Sequence, residues 1–490
     1  MGGFKHMLAV AAAIGLAAAG HAQGGDVAQH WRALTLADVE AAHRMLAEDH
    51  PGAAAETRDT AFQTRLATAH AEARERAARV SSYPGYVATM AGLAVSMGDK
   101  HIWSRPLYHT DTREWAGILI ALQGKDWVVT DEMEAAEGPA LKGAKLLSCD
   151  GVPADQLAEQ RLGGYRIYWP INAQRIQGAH WLLLDDRNPF LKRPERCSFS
   201  TSGQTREVAL KWRPILRSDL ASRLQKLATS GAAGFGVRKV DQGYWIGIQS
   251  FSDKARPVID EVRTRAAELR SAPYVVLDLR GNGGGNSEFG NMVAGALLGE
   301  PYFRAKLGQN EGGDSCPKVW RASERNLKQL KFFLDEIAPK QGTEVVARIS
   351  KEYQSVAGAR EAGREFNGRA TCADLPQARP KLTATSLKPL MNGRLILLTD
   401  NLCFSSCLLV TDTFRRLGAL HVGETTDANT NYMEVREDRL PSGLSMFSTL
   451  QAVGPAAPSQ IGPFVPDLPY EGSIADTPAL ERWIGTIAAR

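Results

Sequence analysis

Two stretches of this chain hold residues whose types and spacing could do covalent chemistry. The first is "VVLDLRGNGGG", Val275 to Gly285, an apolar run that ends in Asp278 and Arg280 and then in Gly281, Gly283, Gly284 and Gly285. A glycine turn at the mouth of a strand lets another group come close to backbone N–H donors. The second is "TDNLCFSSC", Thr399 to Cys407, where a strand, a short loop and the start of a helix meet at Ser405 and Ser406. The first N–H groups of a helix are unpaired and lie at the positive end of its dipole. A serine there has the surroundings of an activated nucleophile and of the oxyanion it generates. The same position also suits a plain helix cap. Nucleotide readings of the glycine turn fail. Gly281 and Gly283 fit a dinucleotide fingerprint, but Asn286 stands at its third glycine, and no Gly-Lys-Ser or Gly-Lys-Thr phosphate loop accompanies it.

The elements that must position these turns show in the periodicity. Residues 24–105 read as helical: "LTLADVEAAHRMLAEDHPG" has apolar residues at helical spacing, with Thr35 as a cap and Pro51-Gly52 as a stop, and a further amphipathic helix runs towards Gly98, Asp99, Lys100 and His101. From Trp115 to Trp212 the texture changes to short strands such as "WAGILIAL" and "DWVVTDEM", punctuated by Gly and Pro. From Gly243 onward apolar strands ("YWIGIQSF", "YVVLDLR", "GRLILLTD", "ALHVGE") alternate with helices, the pattern of a mostly parallel sheet covered on both faces. Residues 301–390 interrupt it and read as a charged insertion or lid.

Composition bounds the rest. At 490 residues, with 44% hydrophobic and 23% charged residues, two to four globular domains are expected. A net charge of +4 is too weak for nucleic acid or a membrane surface as partner. Lys5 and His6 precede the apolar stretch Met7–Gly20 and small residues near Ala22, which reads as an export signal over 1–22; a retained anchor helix is the alternative. No other apolar run approaches the length of a membrane span. Six cysteines (Cys149, Cys197, Cys316, Cys372, Cys403 and Cys407) permit disulfides in an oxidising compartment; Cys316 with Cys372 would staple the insertion, and buried free thiols are the other reading. No cysteine or histidine spacing suggests a metal site, and no cofactor is expected.

The motifs "LDLRGNGGG", "LTDNLCFSSC", "HVGETT" and "FVPDLPYEGSIADTPAL", in this order, resemble those of the C-terminal processing (tail-specific) serine peptidases, and "GDKHIW" looks like that family's Asp-x-His segment. The resemblance implies an α/β fold: a crotonase/Clp-like ββα core with a parallel sheet over 216–490, a helical N-terminal region over 23–110 and a PDZ-like domain over 111–215. It implies Ser405 as nucleophile, the N–H groups of Ser406 and of Gly283 or Gly284 as oxyanion hole, and a peptide or protein substrate. Asp278 and Arg280 would pin the glycine turn.

The sequence departs from the family at its base. Members with a Ser-Lys dyad carry the lysine in a Gly-Lys-Gly segment. Here the stretch reads "GETTDANTNYMEV", Asn429 holds that position, and no lysine follows Lys388. The tricorn core protease, a similar branch, pairs its serine with a histidine from an N-terminal segment, which points to His101; a structural histidine at a helix end is the other reading. His421, inside a strand, reads as packing. Asp427 and Glu434 are candidate carboxylates to orient His101, while Asp99 stands too close in sequence to be an obvious one. Asn429, Asn431 and Tyr432 are candidates for substrate binding, and a thiolate nucleophile at Cys403 or Cys407 is a further alternative. The expected function is that of an exported serine endopeptidase. A catalytically inactive relative that binds a peptide or ligand, and a serine hydrolase of a non-peptide ester or amide, are the alternatives.

Overall fold

A computed structural model describes residues 23–133, 140–228, 233–307, 318–370, 387–454 and 460–488. The expected export signal and the Cys316–Cys372 staple fall outside these residues. The chain begins with three helices, α1 (Gln23–Asp49), α2 (Thr60–Ala77) and α3 (Tyr83–Val95), packed around Leu46, Phe62, Leu66, Tyr86 and Leu93. Thr35 does not cap: it lies inside α1, and its hydroxyl donates to the Trp31 carbonyl one turn back at 2.7 Å, so the helix runs on. Beyond α3 the chain turns through Gly98 (φ +74°) into the short strand β1 (Ser104–Pro106).

The β-rich module contains β2 (Ile118–Gln123), β3 (Asp126–Glu132), β4 (Lys145–Cys149), α4 (Ala154–Leu162), α5 (Asn172–Gly178), β5 (Arg196–Thr201) and β6 (Gln204–Ala209). These strands form one antiparallel sheet in the order β2-β3-β4-β5-β6. Cys149 and Cys197 face each other across β4 and β5 and are joined as a disulfide.

The α/β core follows with β7 (Phe235–Val240), β8 (Gly243–Ile248), α6 (Arg256–Thr264), β9 (Tyr274–Asp278), α7 (Glu288–Leu298), β10 (Arg394–Thr399), α8 (Ser406–Arg416), β11 (Leu420–Gly423), the hairpin β12 (Tyr432–Arg439) and β13 (Ser445–Val453), β14 (Leu468–Pro469) and α9 (Thr477–Ala488). Its sheet runs β7-β8-β9-β10-β11-β14; only β7 is antiparallel to its neighbour. The near-continuous apolar strands are explained by burial on both faces. Val275, Leu277 and Leu397 meet α6, α7 and α8 on one side, while Val276, Ile396 and Leu398 meet Leu480 and Ile484 of α9 on the other. Each such side chain contributes about 1.5–3 kcal/mol of hydrophobic burial. In the register, Leu277 lies beside Leu397 and Leu397 beside His421, so β9 and β10 end side by side and the two chemistry-bearing turns emerge together.

A second sheet joins distant parts of the chain. β13 pairs with β12 on one side and, on the other, with β1 (Ser104 opposite Phe447) and with the short strand Val319–Trp320. The helical region is therefore stitched to the core through β1, and part of the 301–390 segment is a strand of that sheet. Phe447 and Leu450 complete the core of the three helices.

Candidate active site

The glycine turn is held rigidly from behind. Buried Arg280 forms an ion pair with buried Asp278 at 2.7 Å and donates to the Ile474 carbonyl and the Thr477 hydroxyl, which ties the turn to the start of α9. Gly285 (φ +129°) lies so close to Phe251 that a Cβ would sit 2.2 Å from its carbonyl oxygen. At Gly284 (φ +108°) a Cβ would stand 2.7 Å from Ser405 Cβ and 3.1 Å from Ser405 Oγ. The glycines thus let the Ser405 side chain come against the turn. Asp400 joins the two turns, because its carboxylate accepts the Gly281 N–H at 2.8 Å and the Leu402 N–H at 3.1 Å. Burial, reinforced by the nearby Glu424 charge, pushes the Asp400 carboxyl up to about 7 against these donors.

Ser405 stands immediately before α8 with φ +58° and ψ −127°, a conformation rare outside glycine and typical of functional strain. Its hydroxyl makes no capping bond. Instead Ser405 Oγ lies 2.9 Å from His101 Nε2. The other ring nitrogen, Nδ1, lies 2.8 Å from Asp99 Oδ1. Asp99 is buried, and its second oxygen accepts the Thr430 N–H at 2.8 Å and the Thr430 hydroxyl. Burial alone would raise the Asp99 pKa; the His101 imidazole and the donors from His101 and Thr430 outweigh it and hold the carboxyl at about 2. A serine hydroxyl on one imidazole nitrogen and a buried carboxylate on the other is the arrangement that activates an oxygen nucleophile.

The sequence had set Asp99 aside as too near His101, and this is corrected. A turn lets an aspartate reach the N–H two residues on (Asp99 Oδ1 accepts the His101 N–H at 2.9 Å), and the same oxygen then meets the imidazole. The expected orienting carboxylates lie elsewhere: Asp427 pairs with Lys100 at 2.9 Å and Glu434 with Lys318 at 2.8 Å.

The oxyanion donors divide. Among the described residues neither the Ser406 nor the Gly283 N–H has a hydrogen-bond partner, and Gly283 is exposed. The Gly284 N–H is already donated to Asn282 Oδ1 at 2.9 Å, so this expected donor is spent on the turn itself. The Ser406 hydroxyl donates to the Gly285 carbonyl at 2.5 Å and draws the helix start onto the turn.

Tyr432 is not at the surface of a substrate cleft. It is buried among the N-terminal helices, edge-on to His50 and Phe62, and its hydroxyl donates to Asp59 Oδ2 at 2.7 Å. Asn429 is buried in a short bridge to Ile461, donates to the Thr430 carbonyl, and keeps Oδ1 without a hydrogen-bond partner among the described residues. Buried Cys403 and Cys407 are joined as a disulfide, which removes both from the list of nucleophiles. His421 is buried, bonded to the Thr399 hydroxyl at 2.8 Å, and burial lowers its pKa to about 4.

Residues 243–453 match peptidase family S41. The fold is similar to that in the crystal structure of mature CPAF, at 13% identity over 94% of this chain and 97% of that one, with a TM-score of 0.59. The structure of mature CPAF complexed with lactacystin matches at 14% identity over 94% and 99% of the two chains, TM-score 0.59. No curated protein matches. The matched segment supports a serine peptidase acting on peptides or proteins.

Three residues that support this S41 site were not singled out in the sequence. Thr430 holds Asp99. Ser448 Oγ donates to the His101 carbonyl at 2.7 Å and accepts the Trp103 N–H at 2.7 Å, which fixes the segment carrying the imidazole to β13. Lys100 lies over the Phe404 ring at 4.8 Å while the His101 ring packs on the same phenyl at 4.5 Å. Only the alternation of Ser448 along β13 marked it in sequence, as an inward polar residue in an apolar strand.

Proposed function

We propose that this chain is an exported S41 endopeptidase in which Ser405 is the nucleophile, His101 the general base and Asp99 the carboxylate that positions it. The observation that carries the reading is the contact of Ser405 Oγ with His101 Nε2 at 2.9 Å, with Asp99 2.8 Å from the opposite nitrogen. Asp99, ionised, keeps the Nδ1 proton facing itself, so that the Nε2 lone pair faces the serine. As Oγ attacks the scissile carbonyl, Nε2 takes its proton; the carbonyl oxygen becomes an anion, met by the free N–H groups of Ser406 and Gly283. His101 then gives the proton to the departing amine, and water reverses the sequence to release the acyl group. Each oxyanion donor of this kind supplies about 3 kcal/mol. The base thus enters from the N-terminal region, and Asn429 has no part in proton transfer.

Export is supported by the basic and apolar start of the sequence and by two disulfides among the described residues, which persist in oxidising compartments. Among those residues no helix is long and apolar enough to cross a membrane.

A fluorophosphonate probe tests the assignment. The unaltered protein should be labelled once, and Ser405→Ala and His101→Ala should each abolish labelling with the fold kept. Labelling that survives in Ser405→Ala would reject the nucleophile. No labelling of the folded, unaltered chain would make it a binding member of the family. Cleavage of a peptide library, against simple esters, separates peptidase from non-peptide hydrolase.

A further inference from the structure

Between α3, the residues after His101 and the β-rich module lies a cavity of about 820 Å³. Its floor includes Asp99, Lys100, Ile102 and Trp103, the segment that also carries His101. Its lining has six cationic side chains (Lys100, Arg113, Arg161, Arg166, Arg187 and Arg217) against three carboxylates. Two of those carboxylates are engaged: Asp99 with His101 and Thr430, and Asp185 with Arg193 and the Arg187 N–H. Asp186 alone is shared by Arg113 and Arg166.

These two guanidiniums are held as a pair. Both stack on the Trp181 indole, with ring-centroid distances of 4.2 Å for Arg113 and 4.0 Å for Arg166. Among the described residues, buried Arg113 Nη1 has no hydrogen-bond partner, and Asp186 Oδ1, 3.2 Å from Arg113 Nε, makes an ion pair but no hydrogen bond. Arg217 makes its side-chain bond to the Thr110 carbonyl, and Arg161 bonds to three carbonyls, so neither meets a carboxylate within ion-pair distance among the described residues. The positive charge is felt within the group. Burial together with the neighbouring guanidiniums lowers Arg166 to about 9, and burial together with Arg217 lowers Arg113 to about 10. Lys100 and Arg187 are paired outside the cavity, with Asp427 and Glu114, which leaves Arg113, Arg161, Arg166 and Arg217 around the single Asp186 carboxylate, a local deficit of negative charge. Tyr83, Tyr108, Tyr165 and Trp103 supply apolar wall beside it.

We propose that this cavity binds an organic oxyanion, a carboxylate or phosphate carried on an apolar or aromatic group, with Arg113 and Arg166 gripping the oxyanion and the tyrosines and Trp103 taking the apolar part. The planar forks of two arginines match such groups in a way a single ammonium does not. Neither Ser405 nor His101 lines this cavity, and the proposal stands whether or not the proposed catalytic roles do.

Calorimetric titration of the full chain with N-acetyltryptophan, its amide and inorganic phosphate tests it. The acid should bind one per chain and its amide about tenfold or more weaker, since the charge-assisted bonds are lost. Competition by phosphate would point to a phosphorylated ligand; acid binding without phosphate binding would point to a carboxylic acid or a peptide end. Arg113→Gln and Arg166→Gln should weaken binding by about tenfold or more, with the fluorophosphonate signal at Ser405 retained as the check that the chain is folded. Arg217→Gln, which leaves the Trp181 stack intact, is the second variant and should weaken binding as well. The proposal is overturned if neither anion binds, if the amide binds as well as the acid, or if all three variants bind like the unaltered protein.

Discussion

Ser405, His101 and Asp99 act as a single unit because each fixes the next. Asp99 cannot be replaced by a polar isostere at no cost: an amide would present a donor to Nδ1 and favour the wrong imidazole tautomer. Asp99→Asn is therefore expected to lower kcat on the order of 10⁴-fold with KM little changed, as in serine peptidases generally. A kcat within about tenfold of the unaltered enzyme would mean that another group orients His101. The same carboxyl predicts an acid limit. Its folded pKa of about 2 lies below the 3.8 of an ordinary aspartate, so the stability it contributes is complete above pH ~4 and is lost as pH falls towards about 2. Gly284→Ala is the steric counterpart. A Cβ 2.7 Å from Ser405 Cβ, at φ +108°, should displace the serine and destabilise the fold by about 1–3 kcal/mol, read by urea unfolding and by loss of probe labelling. A variant as stable and as readily labelled as the parent would show that the turn yields.

At the scale of elements, the two strand-to-helix turns are locked by Asp400 and by the Cys403–Cys407 disulfide. The disulfide spans the residue that must keep a strained backbone, and the Cys403 carbonyl also accepts the Asp427 N–H at 3.1 Å. Cys403→Ala combined with Cys407→Ala should lower kcat on the order of tenfold or more, because small misplacement of a nucleophile is costly, while circular dichroism stays unchanged. Equal turnover would show that α8 alone holds the serine. Asp400 gives a pH signature of the opposite sign to Asp99. Its folded pKa of about 7 lies above the 3.8 of an ordinary aspartate, so the folded state binds more protons between those values and stability falls as pH rises through that window. Asp400→Asn should flatten this slope in urea midpoints measured from pH ~4 to ~7. An unchanged slope would assign it to another group.

At the scale of the whole molecule, catalysis depends on joining a segment near residue 100 to a turn near residue 405. The seam is β1 against β13, reinforced by buried Asp49 of α1, which pairs with Arg436 of β12 at 2.7 Å and with Arg325 at 2.6 Å. Removing one partner of a buried pair leaves an uncompensated charge. Asp49→Ala should thus cost about 3–5 kcal/mol and lower kcat through the loosened seam. Loss of stability without loss of activity per folded molecule would place the seam outside the catalytic machinery. The β-rich module is bound to the same centre, since Gln174 and Gln177 of α5 donate to Asp427, the partner of Lys100.

Periodicity and the four motifs in order were enough to place the parallel sheet, the glycine turn and the serine turn, because those features are written in local residue types: apolar runs that need two buried faces, glycines that need unusual backbone, a serine at a helix start. The lysine-free stretch around Asn429 was legible for the same reason. What the sequence left open was everything that depends on which segments touch. Asp99 became the partner of His101 only because a local turn curls it back, and Tyr432 was drawn into the helical core because β12 packs there and not on the cleft. Gly284 was spent on its own turn by Asn282, Cys149 and Cys197 were paired by strand register, and Cys403 and Cys407 were joined across the serine turn. The bonds of Asp99 and Gly284 were settled by the exact path of a local turn, and the place of Tyr432 by packing between residues hundreds of positions apart; no property of a single residue encodes either.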